Sequence, residues 1–307
     1  MIQYDPHRWG DHLFDVKGSL IPEITVRVLS CVVWAAAVVL IHRYIGHVDI
    51  PATVHTLLGV ALGLLLVFRT NSSYNRFWEG RQLWGSLVNE TRNLARGVSV
   101  HVRNDHILQD SLIRWIGVFP YAVKNVLRGT DGLGPIADDL PSADIDKVQR
   151  SEHPPLAVAK RITALLVDAR DKGLISDIIL ASLDQNVQLL DDYLGGCERI
   201  ASTPLPFAYM VHLRRVMILY CFTLPFALVD PFGWLTVPAI MGVAYTFFGI
   251  EEIGVEIENP FGNDLNDLAL EELCGKIAKN ILAISGHRRE ADAHVVETSE
   301  VIKIGIE

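Results

Sequence analysis

The chain is poor in cysteine: Cys31, Cys197, Cys221 and Cys274 are the four among 307 residues, and no two form a CxxC pair. That spacing indicates neither a disulfide framework nor a thiolate zinc site, and Cys31 and Cys221 sit inside apolar runs where a thiol acts as a small hydrophobe. Positive charge is scarce too. Lys and Arg number 27 against 36 Asp and Glu, for a net charge of −9, which argues against the clustered basic surface that a nucleic acid partner needs. The signatures of common enzymes are missing. There is no GxSxG, P-loop or GxGxxG, and His101 and His106 stand five apart, whereas a spacing of four puts two metal ligands on one helix face. No enzymatic activity is expected. The first twenty residues, MIQYDPHRWGDHLFDVKGSL, lack the short apolar core and small-residue cleavage site of a secretory signal, so the N-terminus is expected to stay in the cytoplasm.

What is plentiful is apolar: 50% of the residues are hydrophobic, above the usual soluble composition. Four runs read as membrane spans, at about 26–45, 51–68, 211–229 and 234–250, each close to the roughly 20 residues that cross a hydrocarbon core. The last two flank Asp230-Pro231-Phe232-Gly233, a turn by its proline and glycine. With the N-terminus inside, the outer loops fall near His42–Ile50 and Asp230–Gly233, and of the 27 Lys and Arg only Arg43 lies in either. That asymmetry has the direction of the positive-inside rule, with Arg69 and the pair Arg214-Arg215 at inner ends of spans. Helices buried in a soluble protein are the alternative, most open for the short second run.

Residues 69–210 are expected to form a helical cytoplasmic region, because Trp84, Leu87, Val88, Leu94 and Val98, and again Ile178, Ile179, Leu183, Val187 and Leu190, recur at helical spacings. Within it, 129–155 is dense in Gly, Pro and Asp and reads as an exposed loop with short helical turns. Residues 251–307 form a cytoplasmic tail, unassigned after Arg289.

The helix expected from 53 to about 100 is the most informative object. It leaves the apolar run at Arg69 with no proline to stop it and continues through Arg76, Glu79, Arg81, Arg92 and Arg96. Arg76 and Glu79, three apart, suit a bond along the helix surface. Val60, Leu64 and Phe68 lie four apart in a stripe, beside a small-xxx-small pair, Gly59 and Gly63, that allows close helix contact. The stripe suits either ordinary packing or the wall of an aqueous pathway that gates by dewetting. His55, near the start of the same run, suits a place at the membrane interface, or a proton or metal group.

Three segments, "FRTNSSYNRFWEGRQLWGSLVNETRNLAR" (68–96), "CERIASTPLPFAYMVHLRR" (197–215) and "IENPFGNDLNDLALEEL" (257–273), closely resemble signature segments of bacterial bestrophins and their plant and animal relatives, in the same order and spacing. The resemblance covers most of the chain apart from 129–155 and the tail. It implies an all-α, multi-pass membrane protein with four transmembrane helices and a helical cytoplasmic region. It further implies a homopentamer in the bacterial inner membrane, both termini cytoplasmic, with one central ion pore. By the same resemblance Val60, Leu64 and Phe68 line the pore neck, with Val60 smaller than the usual Ile and Leu64 in place of Ile or Phe. Ile178 then forms a cytoplasmic aperture, and Glu256, Asn259, Asp264 and Asp267 are calcium candidates, although Asn263, Leu265 and Asn266 interrupt the acidic run.

Asp264 and Asp267 equally suit a capping pair for the next helix. No cofactor is expected to be required. Chloride and other small monovalent anions are the expected permeant ions, with a channel for monovalent cations such as sodium as the alternative. A membrane-anchored scaffold or a secondary transporter is a further alternative; nearly charge-free spans weigh against a transporter.

Overall fold

The fold follows from where apolar side chains surround a helix and where they occupy one side of it. A computed structural model describes His7 and residues 18–284, and these contain nine α-helices and no strand. The N-terminal segment before Gly18, apart from His7, and the tail from 285 lie outside the described residues. The helices are α1 (Ile21–Tyr44), α2 (Ala52–His101), α3 (His106–Arg128), α4 (Ser142–Gln149) and α5 (Pro154–Asp171). They continue with α6 (Asp177–Ser202), α7 (Phe207–Phe232), α8 (Thr236–Glu256) and α9 (Leu270–Ile284). Among the described residues three stretches are long and apolar enough to cross a membrane: Ile21–Tyr44, Ala52–His101 and Phe207–Glu256.

The chain divides into two compact units. One joins the described residues up to Trp78 with Thr203–Pro260 and Asp264–Asp267; the other joins Glu79–Ser202, Phe261–Asn263 and the described residues from Leu268. In the first unit, α1 begins with Pro22 and Glu23 in its first turn and ends with His42 and Arg43 in its last, the order that the helix dipole favours. Its buried residues Ile24, Val28, Cys31, Ala35 and Val38 recur every three or four positions and pack on α2, α7 and α8. Its other faces are apolar as well: Val26 is 72% exposed and Val33 68%. A helix that is hydrophobic all round suits lipid rather than water.

Phe207–Glu256 is one stretch by composition but two helices in space. Gly233, with φ +49°, ends α7, and a short 3₁₀ turn at Gly233–Leu235 leads into α8. Arg214 and Glu251, nearly equidistant from that turn, meet at 2.9 Å, so the two helices run antiparallel. Side-chain bonds tie the bundle: Trp34 Nε1 donates to the Phe222 carbonyl at 2.8 Å, and Tyr209 Oη to the Leu65 carbonyl at 2.8 Å. His55 is buried, its Nε2 2.9 Å from Thr223 Oγ1. From α2 it packs against α7, where Tyr220 also lies beside its ring. All four cysteines are free and buried.

In the second unit α5, α6 and α9 bury one face each, whereas α3 is buried all round from Leu112 to Val123. Asp105 caps α3 by accepting the Leu108 N–H at 3.0 Å, and Gly129, at φ +63°, ends it. Over 129–155 the expected short helical turns are present, but the expectation that the segment is exposed needs correction. The segment holds the 3₁₀ turn Pro135–Ala137 and α4, and buries Leu133, Ile136, Leu140 and Val148. The Gly and Pro that bar a long helix still leave apolar side chains at intervals, and packing those against α3 and α5 outweighs solvation. Gly134 makes a close approach: at φ +76° it lies against Tyr121, where a Cβ would stand 2.3 Å from the ring.

Candidate functional site

An α-helix turns about 100° per residue, so residues three, four, seven and eleven apart share a face. On α2 the side that packs into the first unit carries Leu62, Leu66, Arg69 and Ser73, all buried. Nearly opposite, the four-residue stripe stands free: Val60 is 71% exposed, Leu64 55% and Phe68 56%. Among the described residues the stripe is therefore left more than half exposed, which weighs against ordinary intramolecular packing as its role. Gly59 does mark a close approach, because a Cβ there would lie 2.8 Å from Tyr220 Oη; Gly63 faces open space.

Directly after Phe68 the helix is pinned from behind. Arg69 is fully buried, with Nη1 3.5 Å from Ser73 Oγ and Nη2 3.4 Å from Glu258 Oε2. Gly254 makes room for it, since a Cβ there would sit 2.3 Å from Arg69 Nη1. Glu258 also accepts the Leu205 N–H at 3.0 Å, and Arg76 donates to the carbonyls of Glu258, at 3.1 Å, and Thr203. Beside this lies Glu251, 1% exposed, between Arg214 at 2.9 Å and Arg27 at 3.5 Å; Arg27 also holds Glu252 at 2.6 Å. Ion pairs thus join α1 and α7 to α8, and α2 to the strand-free segment after α8. The sequence singled out Arg69 and Arg214 only as charges flanking spans. Glu251 and Glu258 escaped notice, although carboxylates at the end of an apolar run, with arginines ending the neighbouring runs, are the signal that finds such pairs.

Ile178 is the second residue of α6 and stands 80% exposed among the described residues. The acidic segment is partly brought together. Glu256 and Asp264 line one cavity of about 510 Å³ with Gly18, Ser19, Glu23 and Leu265. Asn266 Nδ2 donates to Glu256 Oε1 at 2.8 Å, and buried Asp267 accepts the Asp264 N–H at 2.8 Å. Asn259 is not among the residues lining that cavity. Among the described residues no three His, Cys, Asp or Glu side chains converge as a metal group. The capping expectation is corrected in one respect: Asp264 and Asp267 close a turn of their own, and the next helix begins only at Leu270. Leu268 and Ala269 intervene, so Asp264 is too far back to cap it.

The family model for bacterial/fungal bestrophin proteins matches residues 1–283. A voltage-dependent anion channel-forming protein of Synechocystis sp. is 41% identical over 280 residues, 90% of this chain and 91% of its own length. One of the same description from Nostoc sp. is 39% identical over 298 residues, 95% of this chain and 97% of its own. The crystal structure of a bacterial bestrophin homolog from Klebsiella pneumoniae superposes with a TM-score of 0.82 at 31% identity, over 86% of this chain and 98% of that one. The chain belongs to the bacterial/fungal bestrophin family, whose members are channel-forming membrane proteins and not enzymes.

Proposed function

We propose that the protein is a homopentameric anion channel of the bacterial inner membrane, conducting chloride and other small monovalent ions through a neck lined by Val60, Leu64 and Phe68. The observation that carries the reading is the exposed apolar stripe on α2, opposite the face that buries Leu62, Leu66, Arg69 and Ser73 among the described residues. Relatives named as anion channel-forming proteins support the choice of ion. In this reading the four spans are α1, the first part of α2, α7 and α8, with both termini cytoplasmic, and Ile178 rings a second constriction.

The neck carries no fixed charge, so ions cross it partly stripped of water, and weakly hydrated anions pass more readily than strongly hydrated ones. Calcium at Glu256, Asn259, Asp264 and Asp267 is a secondary part of the proposal, supported by hard oxygen donors of which two line one cavity. Planar-bilayer recordings of the purified protein test the whole. Permeability should rise from chloride through bromide to iodide, and Leu64→Ala or Phe68→Ala should raise conductance severalfold by widening the neck. A reversal potential that follows the cation gradient refutes the anion reading in favour of sodium-like ions, and unchanged currents in both variants refute the neck.

A further inference from the structure

The apolar stripe does not end the pore-facing side of α2 as the proposed channel orients it. Asn71 follows Leu64 by seven residues and Asn75 follows Phe68 by seven, so both continue the stripe to within about 20°. At 1.5 Å per residue they lie about 4.5 and 10.5 Å beyond Phe68 along the helix. Both side chains are exposed, and neither amide has a partner among the described residues. Their polar neighbours are committed elsewhere. Thr70 Oγ1 and Ser72 Oγ donate to the carbonyls of Leu66 and Phe68, each at 2.9 Å, and Ser73 Oγ faces Arg69. No acidic residue occurs between Asp49 and Glu79, whereas Arg69 and Arg76 stand in these same turns.

Resting on the channel reading above, we infer that Asn71 and Asn75 form the site where an anion leaving or entering the neck regains its lost coordination. Symmetry would repeat each amide around the axis, making two rings of primary amides just past the last apolar ring. Each amide has two N–H donors, and donors aimed at a halide or similar weakly hydrated monovalent anion replace the water that the neck removes. A primary amide also has an acceptor oxygen, but with no carboxylate on this length of α2 the N–H donors meet no competing negative charge from the helix that carries them. The sequence TNSSYN is therefore an anion coordination site, not merely a solvated continuation of a membrane helix.

The test is a reversal-potential measurement on bilayers under a potassium chloride gradient, with each variant first shown to elute at the wild-type oligomeric size. Asn75→Asp and Asn71→Asp replace donors with carboxylates and should lower the chloride-to-potassium permeability ratio by about tenfold. Asn71→Leu should lower conductance severalfold without changing the sign of the reversal potential. If an Asp variant fails to assemble, Asn75→Cys serves: the four native cysteines are buried, so a charged methanethiosulfonate should reach only the introduced thiol. A negatively charged adduct should suppress anion current and a positively charged one should not.

Unchanged ratios in the Asp variants, or equal effects of the two adducts, overturn the inference. Leu64→Ala separates the two readings. If it alters conductance while the asparagine variants do nothing, the neck stands and the amide site falls; a wild-type protein that does not conduct overturns both.

Discussion

Replacing Glu258 by glutamine leaves an acceptor for the Leu205 N–H but removes the charge facing Arg69. At 3.4 Å and an effective dielectric of about 20, the lost attraction is about 5 kcal/mol in gross terms. Two features reduce it: the Glu258 side chain is 16% exposed, and Glu251 exerts a second attraction on the same guanidinium. A net loss of about 2 kcal/mol remains, below the 3–5 typical of a fully buried broken pair. For a chain of this size it lowers the melting temperature by about 3 °C.

Arg69→Met behaves differently, because an apolar side chain of similar volume can fill the buried slot while Glu258 reaches water. It should destabilise less than Glu258→Gln, and adding it to Glu258→Gln should rescue stability. The assay is a double-mutant cycle on the purified oligomer, heated and then counted by size-exclusion chromatography, with a coupling of about 2 kcal/mol expected. Strict additivity, or a Glu258→Gln protein that melts with the wild type, would show that the pair is ornamental and that α2 is held behind Phe68 by something else.

Two further predictions concern the second unit. Gly134→Ala combines a positive φ of +76° with a Cβ 2.3 Å from the Tyr121 ring and should cost about 3 kcal/mol or more; a melting temperature within a degree of wild type would refute the packing described for 129–155. Asp191 is pushed up to about 6, first by burial and then by Asp192, Asp184 and Glu198, with His153 opposing. An acid with a raised folded pKa contributes stability that is full below its unfolded value and lost as pH rises through the folded one, so stability should fall between about pH 4 and 6. Asn cannot ionise, so Asp191→Asn should flatten that slope and gain about 1 kcal/mol near pH 7, a figure discounted for partial exposure. Parallel melting-temperature profiles for the two proteins would refute it.

Much of the membrane unit was legible because its signals are local. A run of apolar residues sets span length whatever it touches, Pro231 and Gly233 mark a turn through their own backbone chemistry, and a helix without a proline between Ala52 and His101 simply continues. The stripe at Val60, Leu64 and Phe68 was equally plain as a period of four. Its meaning was not, since periodicity reports that residues share a face but not whether a neighbour covers it. Only the packing of Leu62, Leu66, Arg69 and Ser73 leaves the opposite face of α2 bare.

Arg69 shows the same limit from the other side. Next to Phe68 and before a polar run it reads as a charge entering water, yet Gly254, Ser73 and Glu258 enclose it completely. The residues that enclose it come from α2 itself and from a segment about 190 positions away, and burial of a charge depends on partners that distance along the chain does not reveal. In 129–155 the turn residues were read correctly as barring a long helix, but the burial of Leu133, Ile136 and Leu140 depends on surfaces offered by other helices. The sequence alone determined an all-helical chain with apolar spans and one long continuous α2, because those properties follow from backbone propensity and side-chain transfer energies. Which side of α2 is free and which charges are enclosed was decided by the tertiary structure, because burial belongs to the arrangement of neighbours and not to any one residue.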